Sequence, residues 1–361
     1  MNAEKVMKAL SPLKPYMDDP NVSEILIDGY DKIYIEEMGR FKDLPTPFEN
    51  EAQLMDFINN VAAALDRQPD ESKFMIDSRL PDNSRINIVL PPVAILGPSL
   101  VIRRFSVRSF TFEDLIHFGS LNEALVEFFR ACVLGRLNIV MAGGTGSGKT
   151  AVLNLLTGLI PPNERIVTVE NAAELNPPGT HKRVIRLESQ PGDAGGKGVV
   201  TMRDLVQNAL RMRPDRLIIG EVRGGEAIDV IQAMNTGHDG SMFAIHAGNP
   251  RDVLARLEGM VAMAMPSLPL LQVRRQMAAA FDLIIYQEWL RDGSRKVMRV
   301  SEVVGMQGDE VLLQDIFRFQ ETGMENGRIQ GQFLPTGTIP TFLKKIHASG
   351  VAVPMSLFTP Q

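Results

Sequence analysis

Eight consecutive residues near the middle of the chain have the types and spacing needed to bind a phosphate chain. They are Gly143, Gly144, Thr145, Gly146, Ser147, Gly148, Lys149 and Thr150, and they fill the pattern G-x-x-x-x-G-K-[ST]. The glycines let successive backbone N–H groups approach phosphate oxygens, because no Cβ blocks the way. We expect Lys149 to reach the β- and γ-phosphates and the Thr150 hydroxyl to coordinate Mg²⁺.

The segments on either side of this loop have the patterns of a strand and a helix. An apolar run at 137–142 precedes the loop, and a helix-like stretch at 151–159 follows it. This order distinguishes a phosphate loop from a glycine-rich turn that merely reverses the chain. The positive end of the helix, expected to begin near Gly148, would attract the same anion. The sequence therefore predicts that the chain binds a nucleoside triphosphate.

Two glutamates follow apolar, strand-like runs later in the chain. Glu221 ends the run 217–220, as a Walker B carboxylate does, and the carboxyl end of a parallel strand lies beside the phosphate loop. There it can hold Mg²⁺ directly or through water, unless it is simply solvent-exposed. Glu170 follows the run 166–169 and is placed to polarise an attacking water. Glu174 is the less favoured base, and a merely dipole-favoured helix-terminal acid is the alternative for Glu170.

Histidine and arginine side chains supply further candidates. His246 ends an apolar run, where it could hydrogen-bond a γ-phosphate or the catalytic water, or be a structural residue. Its spacing from His238 is not a metal-ligand signature, so we expect no transition metal. Arg79, Arg85 and Arg103 occur in the first third of the chain, the first two around what looks like an acid-flanked loop. They are either solvated ion pairs or groups that neutralise triphosphate charge from a closing domain.

Composition limits the class of protein. The chain has 361 residues, 44% of them hydrophobic and 22% charged, which fits two soluble domains with proper cores. The net charge of −5 argues against a dominant nucleic-acid surface. The lone Cys132 excludes an intrachain disulfide. We find no apolar run of about 18 residues and no signal-peptide core, so we expect a cytoplasmic protein.

The order of strand and helix patterns predicts an α/β protein with two domains. We expect a smaller mixed α/β domain at 1–106, a linker at 107–120 and a nucleotide-binding domain at 121–361. Short apolar strands that alternate with helices indicate a mostly parallel sheet covered on both faces, followed by a β-rich extension. The predicted strands of the second domain are 138–141, 166–169, 184–187, 217–219, 242–245, 296–304, 310–319 and 328–333.

Together these residues resemble the type II/type IV secretion ATPase superfamily, most closely the CpaF-type ATPases of tight-adherence (Flp) pilus assembly. The most specific stretches are 77–82, 210–216, 220–226 and 233–241. The resemblance implies a P-loop domain of the RecA-like type, ATP and Mg²⁺ as cofactors, and a homohexameric ring. It also implies peripheral docking on a platform protein at the cytoplasmic face of the inner membrane. From the acidic charge balance we expect no nucleic-acid partner.

The resemblance also implies a role for each candidate residue. Lys149 and Thr150 become the Walker A pair, and Glu221 becomes the Walker B acid. Glu170 becomes the Asp-box catalytic carboxylate, and His246 becomes the His-box residue. The resemblance adds a further catalytic candidate that the residue patterns alone do not suggest. This is Arg213, which matches a family arginine near the nucleotide, while the three arginines of the first domain match residues that approach the phosphates.

Four positions depart from the family pattern: Asn171, Ala151, Gln190 and Gly248. Asn171 stands where an Asp is usual, and this removes a charge beside the expected base. Gln190 stands where an Arg is typical, and this removes one expected contact between subunits. Hydrolysis is therefore expected to be slower than is typical of the family.

Four functions are compatible with these features. The leading hypothesis is an ATP-driven motor for pilus assembly or secretion. The second is a conjugation or type IV secretion ATPase of the same superfamily. A nucleic-acid motor is disfavoured by the acidic charge balance and the lack of aromatic residues interleaved with basic ones. A nucleotide-dependent scaffold that does not hydrolyse ATP is the fourth.

Overall fold

The chain folds into two compact units. A computed structural model describes residues 2–37, 40–67, 74–104, 110–190 and 198–360. The units are Met1–Ser109 and Phe110–Gln361, and each has its own buried hydrophobic core. Residues 106–109, where we expected the first domain to end and the linker to start, lie outside the described residues. The domain limits given above remain predictions.

The first unit is an antiparallel sheet with helices on one face. Its elements are α1 (Ala3–Ala9), α2 (Lys14–Met17), β1 (Val22–Asp28), β2 (Ile33–Glu37), β3 (Arg40–Leu44), α3 (Glu51–Ala64), β4 (Met75–Arg79), β5 (Arg85–Val89) and β6 (Ser99–Arg103). The strand order is β3-β2-β1-β6-β5-β4. Alternate residues such as Ile25, Ile86 and Ile102 are buried and pack with Leu54 and Ile58 of α3. This alternation is typical of an antiparallel sheet that packs one face on the core and exposes the other to solvent.

The second unit contains the phosphate-loop sequence. Its elements are α4 (Phe112–His117), α5 (Glu123–Leu134), β7 (Ile139–Gly143), α6 (Lys149–Gly158), β8 (Ile166–Glu170), β9 (Val184–Glu188), α7 (Met202–Ala209), β10 (Arg216–Val222), α8 (Glu226–Asn235), β11 (Met242–His246), α9 (Pro250–Ala264), α10 (Leu270–Ala280), β12 (Leu283–Trp289), β13 (Arg295–Gln307), β14 (Glu310–Glu325), β15 (Arg328–Pro335) and α11 (Leu343–Ala348).

The nine strands of this unit form one sheet in the order β15-β14-β13-β12-β7-β11-β10-β8-β9. Strands β12 to β9 in this order run parallel, and β13, β14 and β15 continue the sheet antiparallel. Within β7, Val140 and Ala142 pack with α7 to α10, whereas Ile139 and Met141 pack with α5, α6 and α11. The predicted α/β class, with a mostly parallel sheet covered on both faces, is confirmed.

Two elements differ from the sequence-based expectations. Strand β12 was not expected, because its apolar run directly follows α10 and the β-rich tail was expected to start near Ser294. Part of the predicted linker forms α4, which a capping box between Thr111 and Asp114 begins. Among the described residues, no helix is both long and apolar enough to cross a membrane.

Candidate active site

The phosphate loop connects β7 to α6, as predicted, and α6 begins at Lys149 with Gly148 as its N-cap. Gly146 and Gly148 have φ angles of +72° and +91°, which side chains with a Cβ rarely adopt. The Lys149 ammonium is buried and donates a 2.8 Å hydrogen bond to the Gly144 carbonyl. Burial is the main cause that lowers the pKa of Lys149. Thr150 follows in the first turn of α6.

The carboxyl ends of the parallel strands bring the predicted site residues together. In the sheet, β11 lies next to β7, followed by β10 and then β8. His246, at the end of β11, pairs with Gly143, at the end of β7. His246 Nδ1 lies 3.5 Å from Lys149 Nζ, and His246 Nε2 lies 2.8 Å from Glu221 Oε1. Lys149, His246 and Glu221 therefore form a continuous polar chain at the start of α6.

His246 lies between a cation and an anion, and its neutral form fits the cation. Burial is the largest cause that lowers the His246 pKa, and the Lys149 charge adds to it; Glu221 opposes both. Nδ1 of a neutral imidazole can accept from Lys149. Nε2 contacts Glu221 Oε1 without the geometry of a hydrogen bond, and Oε1 has no hydrogen-bond partner among the described residues. The second oxygen of Glu221 accepts a 2.5 Å hydrogen bond from Arg223. Arg223 is a site residue that the sequence analysis did not single out.

Glu170 is a buried carboxyl group with one satisfied oxygen. It is 2% exposed, and Oε1 accepts 2.8 Å hydrogen bonds from the backbone N–H groups of Glu174 and Leu175. Oε2 is buried without a hydrogen-bond partner among the described residues. Burial raises the pKa of Glu170 to about 7. A carboxyl group that titrates near neutral pH is suited to accept a proton from water.

Gly220 makes room for this acid. A Cβ on Gly220 would lie 2.9 Å from Glu170 Cγ, closer than real side chains pack. The absent side chain thus lets Glu170 lie directly beside the residue that precedes Glu221. Glu174, the alternative base, has an exposed side chain and supplies its backbone N–H to Glu170. Geometry and burial therefore favour Glu170 over Glu174.

Arg213 lies at the opposite edge of the same sheet. It comes shortly before the amino end of β10, whereas the phosphate loop follows the carboxyl end of the parallel strand β7. A seven-residue strand is about 20 Å long, so Arg213 does not reach the loop of its own chain. Its side chain is exposed, and its φ of +54° is unusual for a residue with a Cβ.

The arginines of the first unit form a row. Arg79 ends β4 and pairs with Arg85, so the expected acid-flanked loop is largely a β-hairpin; Arg85 pairs in turn with Arg103 of β6. Directly opposite residues share one face of a sheet, where like charges repel. Arg85 contacts Asp77 at 3.0 Å, and Arg103 Nε lies 3.7 Å from Glu24 Oε1. The row thus places three arginines side by side on one face of the sheet, with acids beside Arg85 and Arg103.

The unusual positions of the sequence have ordinary local roles in the structure. The Asn171 side chain accepts a 3.1 Å hydrogen bond from Ser189 Oγ. Gln190 forms an isolated antiparallel bridge with Val200. Gly248 donates its N–H to Asp252 at 2.7 Å. The predicted effect of these positions on rate remains a prediction.

The residues that the sequence analysis missed on the other side of the loop lie at the end of β12 and the start of β13, which form a hairpin. Gln287 is 2% exposed, and Trp289 and Arg295 contact the loop at Gly146. The signal was present as an apolar run at 283–286 that ends in polar residues next to the chain's single tryptophan.

Comparisons with known proteins agree with this architecture. The family model described as "Type II/IV secretion system protein" matches residues 7–331. The chain belongs to this family. Among family relatives, it is 33% identical to the conjugal transfer protein TrbB of Rhizobium radiobacter over 299 residues, which cover 81% of this chain and 86% of that protein. It is 32% identical to the protein VirB11 of Agrobacterium fabrum over 279 residues, 70% and 80% of the two chains.

Two solved structures share the fold. The pilus retraction motor PilT with bound ADP has a TM-score of 0.58 and 19% identity, over 84% of this chain and 82% of that one. The Legionella pneumophila ATPase DotB has a TM-score of 0.56 and 19% identity, over 82% and 79%. The family match and the relatives confirm membership of the type II/type IV secretion ATPase superfamily, while the resemblance to CpaF-type ATPases in particular remains a prediction.

Proposed function

We propose that this protein is an ATP-hydrolysing motor of a conjugation or type IV secretion machine. The observation that carries the proposal is the carboxyl edge of the parallel sheet. A phosphate loop, the contacting side chains Lys149, His246 and Glu221, and the buried acid Glu170 meet at this edge. The protein that carries them belongs to the type II/IV secretion family. The named relatives are conjugal transfer and VirB11 proteins, which favours this hypothesis over tight-adherence pilus assembly.

Each residue of the edge has a distinct task in hydrolysis. The loop N–H groups and Lys149 bind the phosphates, and Lys149 exchanges the Gly144 carbonyl for a phosphate oxygen. Glu170 accepts the proton of the attacking water through its unpaired oxygen. His246 stays neutral and can turn one nitrogen towards the γ-phosphate or that water.

The donor set fits a magnesium ion. The Thr150 hydroxyl and the Glu221 carboxylate are hard oxygen ligands, and Mg²⁺ prefers one or two such protein ligands together with phosphates and water. Since His246 and Arg223 already contact both Glu221 oxygens, Glu221 would act through a water or after these contacts loosen. When bound, the ion would neutralise charge that develops on the β- and γ-phosphates.

We further propose that the chain works as a homohexameric ring bound peripherally to an inner-membrane platform protein from the cytoplasm. Arg213 supports a ring, because it is too far from its own loop to act there but could serve a neighbour's. The Arg79–Arg85–Arg103 row supports phosphate neutralisation by the first unit. Light scattering with and without a non-hydrolysable ATP analogue tests this: we expect a six-subunit species, and a strict monomer under all conditions would contradict it.

The proposed activity is tested with Lys149→Ala. The substitution removes the cation that the loop motif itself supplies, so we expect phosphate release from MgATP to fall by at least about a hundredfold. The control is Lys182→Ala, which changes an exposed lysine outside this cluster. Release by Lys149→Ala within twofold of the wild-type rate would refute the phosphate-loop assignment.

A further inference from the structure

The outer side of the phosphate loop is covered by the hairpin that β12 and β13 form. The Gln287 carbonyl occupies the place where a Cβ on Gly143 would be, and a Cβ on Gly146 would lie 2.9 Å from Trp289 Cε3. These glycines are therefore needed for the close approach of the hairpin, in addition to any need of the phosphate. The hairpin therefore packs closely enough against the outer side of the loop to hold it in place.

The remaining glycines show which side of the loop is open. A Cβ on Gly148 would lie 3.3 Å from Gln287 Nε2 and 3.4 Å from Arg295 Cδ, so Gly148 also faces the hairpin. A Cβ on Gly144 would meet nothing within 4 Å. The hairpin thus contacts three of the loop's four glycines and leaves the side at Gly144 accessible.

Arg295 orients one peptide group of the loop. Its Nε donates a 2.6 Å hydrogen bond to the Gly146 carbonyl, and its guanidinium carbon lies 5.0 Å from the centre of the Trp289 ring. A trans peptide directs its C=O and N–H to opposite sides. The Ser147 N–H therefore points away from Arg295, towards the Gly144 carbonyl at 3.4 Å.

That same Gly144 carbonyl accepts the hydrogen bond of Lys149. The Ser147 N–H and the Lys149 ammonium therefore face the same part of the loop interior. At 3.4 Å the Ser147 contact is long for an N–H···O bond, so a phosphate oxygen could replace its acceptor at little cost.

We propose that Arg295, supported by Trp289, is a positioning residue for nucleotide binding. By holding the Gly146 carbonyl outside the loop, it keeps the Ser147 N–H directed at the phosphates and links loop occupancy to the β12–β13 hairpin. This inference rests on the proposed function. Because the N–H contact serves the bound nucleotide before and during hydrolysis, its loss should raise KM far more than it lowers kcat.

The test compares Arg295→Ala, Arg295→Lys and the control Arg291→Ala. Arg291 lies in the same hairpin but pairs with Glu321 at the surface and makes no contact with the loop among those described. Titration calorimetry with MgADP should show binding weakened about tenfold in Arg295→Ala, the usual loss for a hydrogen bond that serves a charged ligand. The MgADP affinity of Arg295→Lys should lie between those of the wild type and Arg295→Ala, because one ammonium can still donate to the carbonyl. The control should bind MgADP as the wild type does.

Tryptophan fluorescence supplies a second readout, since Trp289 is the chain's only tryptophan. MgADP should change the Trp289 emission in the wild type and the control, and the change should be smaller in Arg295→Ala. MgADP affinity within twofold of wild type in Arg295→Ala, with an unchanged emission response, would overturn the proposal. If Arg295→Ala does not fold, Arg295→Lys decides: wild-type affinity and response overturn the proposal, and weakening by about threefold or more supports it.

The proposed function can fail separately from this inference. Lys149→Ala, measured with the same MgADP titration, should abolish binding whatever the role of Arg295. If Lys149→Ala binds MgADP as the wild type does, the phosphate-loop site itself is refuted. If Lys149→Ala loses binding and Arg295→Ala keeps it, only the positioning role is refuted.

Discussion

The two edges of the parallel sheet both bury charged groups, and they differ in how many partners those groups have. At the amino edge, Arg216 is fully buried, and its guanidinium donates to both oxygens of Glu164 and to the carbonyls of Val133 and Gly240. Asn138 nearby uses its amide fully, since it donates to two carbonyls and accepts from two N–H groups. The buried polar side chains Arg216 and Asn138 at this edge therefore each have several hydrogen-bond partners.

At the carboxyl edge the titratable groups have fewer partners, whereas burial shifts pKa values at both edges, including that of Arg216. Glu170 keeps one oxygen unpaired and titrates near 7, and burial lowers the pKa values of Lys149 and His246. Unpaired buried charge costs stability, so a fold tolerates it where it serves a function. The number of partners, more than burial, therefore distinguishes a structural charge from a functional one in this sheet.

Glu170→Gln should show the largest effect. The amide retains an oxygen for the two N–H groups but cannot accept a proton, so we expect kcat to fall by about 10²–10⁴ while MgADP binding persists. Glu174→Gln is the matched control and should keep turnover near the wild-type value. If Glu174→Gln is inactive and Glu170→Gln is not, the assignments of the two acids must be exchanged.

The same variant should be more stable than the wild type at alkaline pH. Because the folded-state pKa of Glu170 is raised from 4.5 to about 7, its contribution to stability is full below about pH 4.5 and is lost as pH rises through 7. Above pH 7 the folded wild type must hold a buried carboxylate, which glutamine avoids. Thermal unfolding at pH 8 should show a gain of up to about 3 kcal/mol that shrinks towards pH 5.

Arg216→Met should lower the stability of the fold without lowering catalytic activity. Removing one partner of a buried ion pair costs about 3–5 kcal/mol, and the low end applies here because Arg136 still contacts Glu164 at 2.9 Å. The matched control, Arg291→Met, removes an exposed pair and should cost less than about 1 kcal/mol. Denaturant unfolding measures both, and kcat per folded molecule should be unchanged. A large loss of kcat in folded Arg216→Met would contradict the purely structural role assigned to Arg216.

Gly220→Ala should give a smaller, purely geometric effect. Its Cβ would lie 2.9 Å from Glu170 Cγ, so the acid must shift, and a displacement of about 1 Å can cost up to about a hundredfold in rate. We expect a loss of about tenfold in kcat with normal MgADP binding. Gly259→Ala, in α9 with nothing within 4 Å of the new Cβ, is the control and should keep full activity. Equal kcat values in both variants would mean that the Gly220 gap does not position Glu170.

The sequence predicted those parts of the site that lie in contiguous motifs. Lys149 and Thr150 follow from the loop pattern, and Glu170, Glu221 and His246 follow because parallel strands place their carboxyl ends at one edge. The α/β class follows from the alternation of short apolar strands and helices. These features depend on local periodicity and on one topological rule.

The rest depends on contacts between distant segments, which periodicity does not encode. Arg295 reaches Gly146 across 149 positions of sequence, and no motif connects them. Gly240 illustrates the same limit, because a Cβ there would overlap the Arg216 guanidinium. This glycine of a family motif therefore makes room for the buried arginine at the amino edge. Arg213 shows the reverse case, since a family match suggested a role that the geometry of a single chain does not support.

The most direct test of the contrast between the edges is the pH dependence of kcat/KM for MgATP hydrolysis, measured by phosphate release at saturating Mg²⁺. Because only the carboxylate form of Glu170 can accept a proton, kcat/KM should fall about tenfold per pH unit below a midpoint near 7. Arg216→Met should show the same profile, since that residue serves structure. A kcat/KM that stays constant from about pH 5.5 to 8.5 in the wild type would refute the role of Glu170 as the proton acceptor.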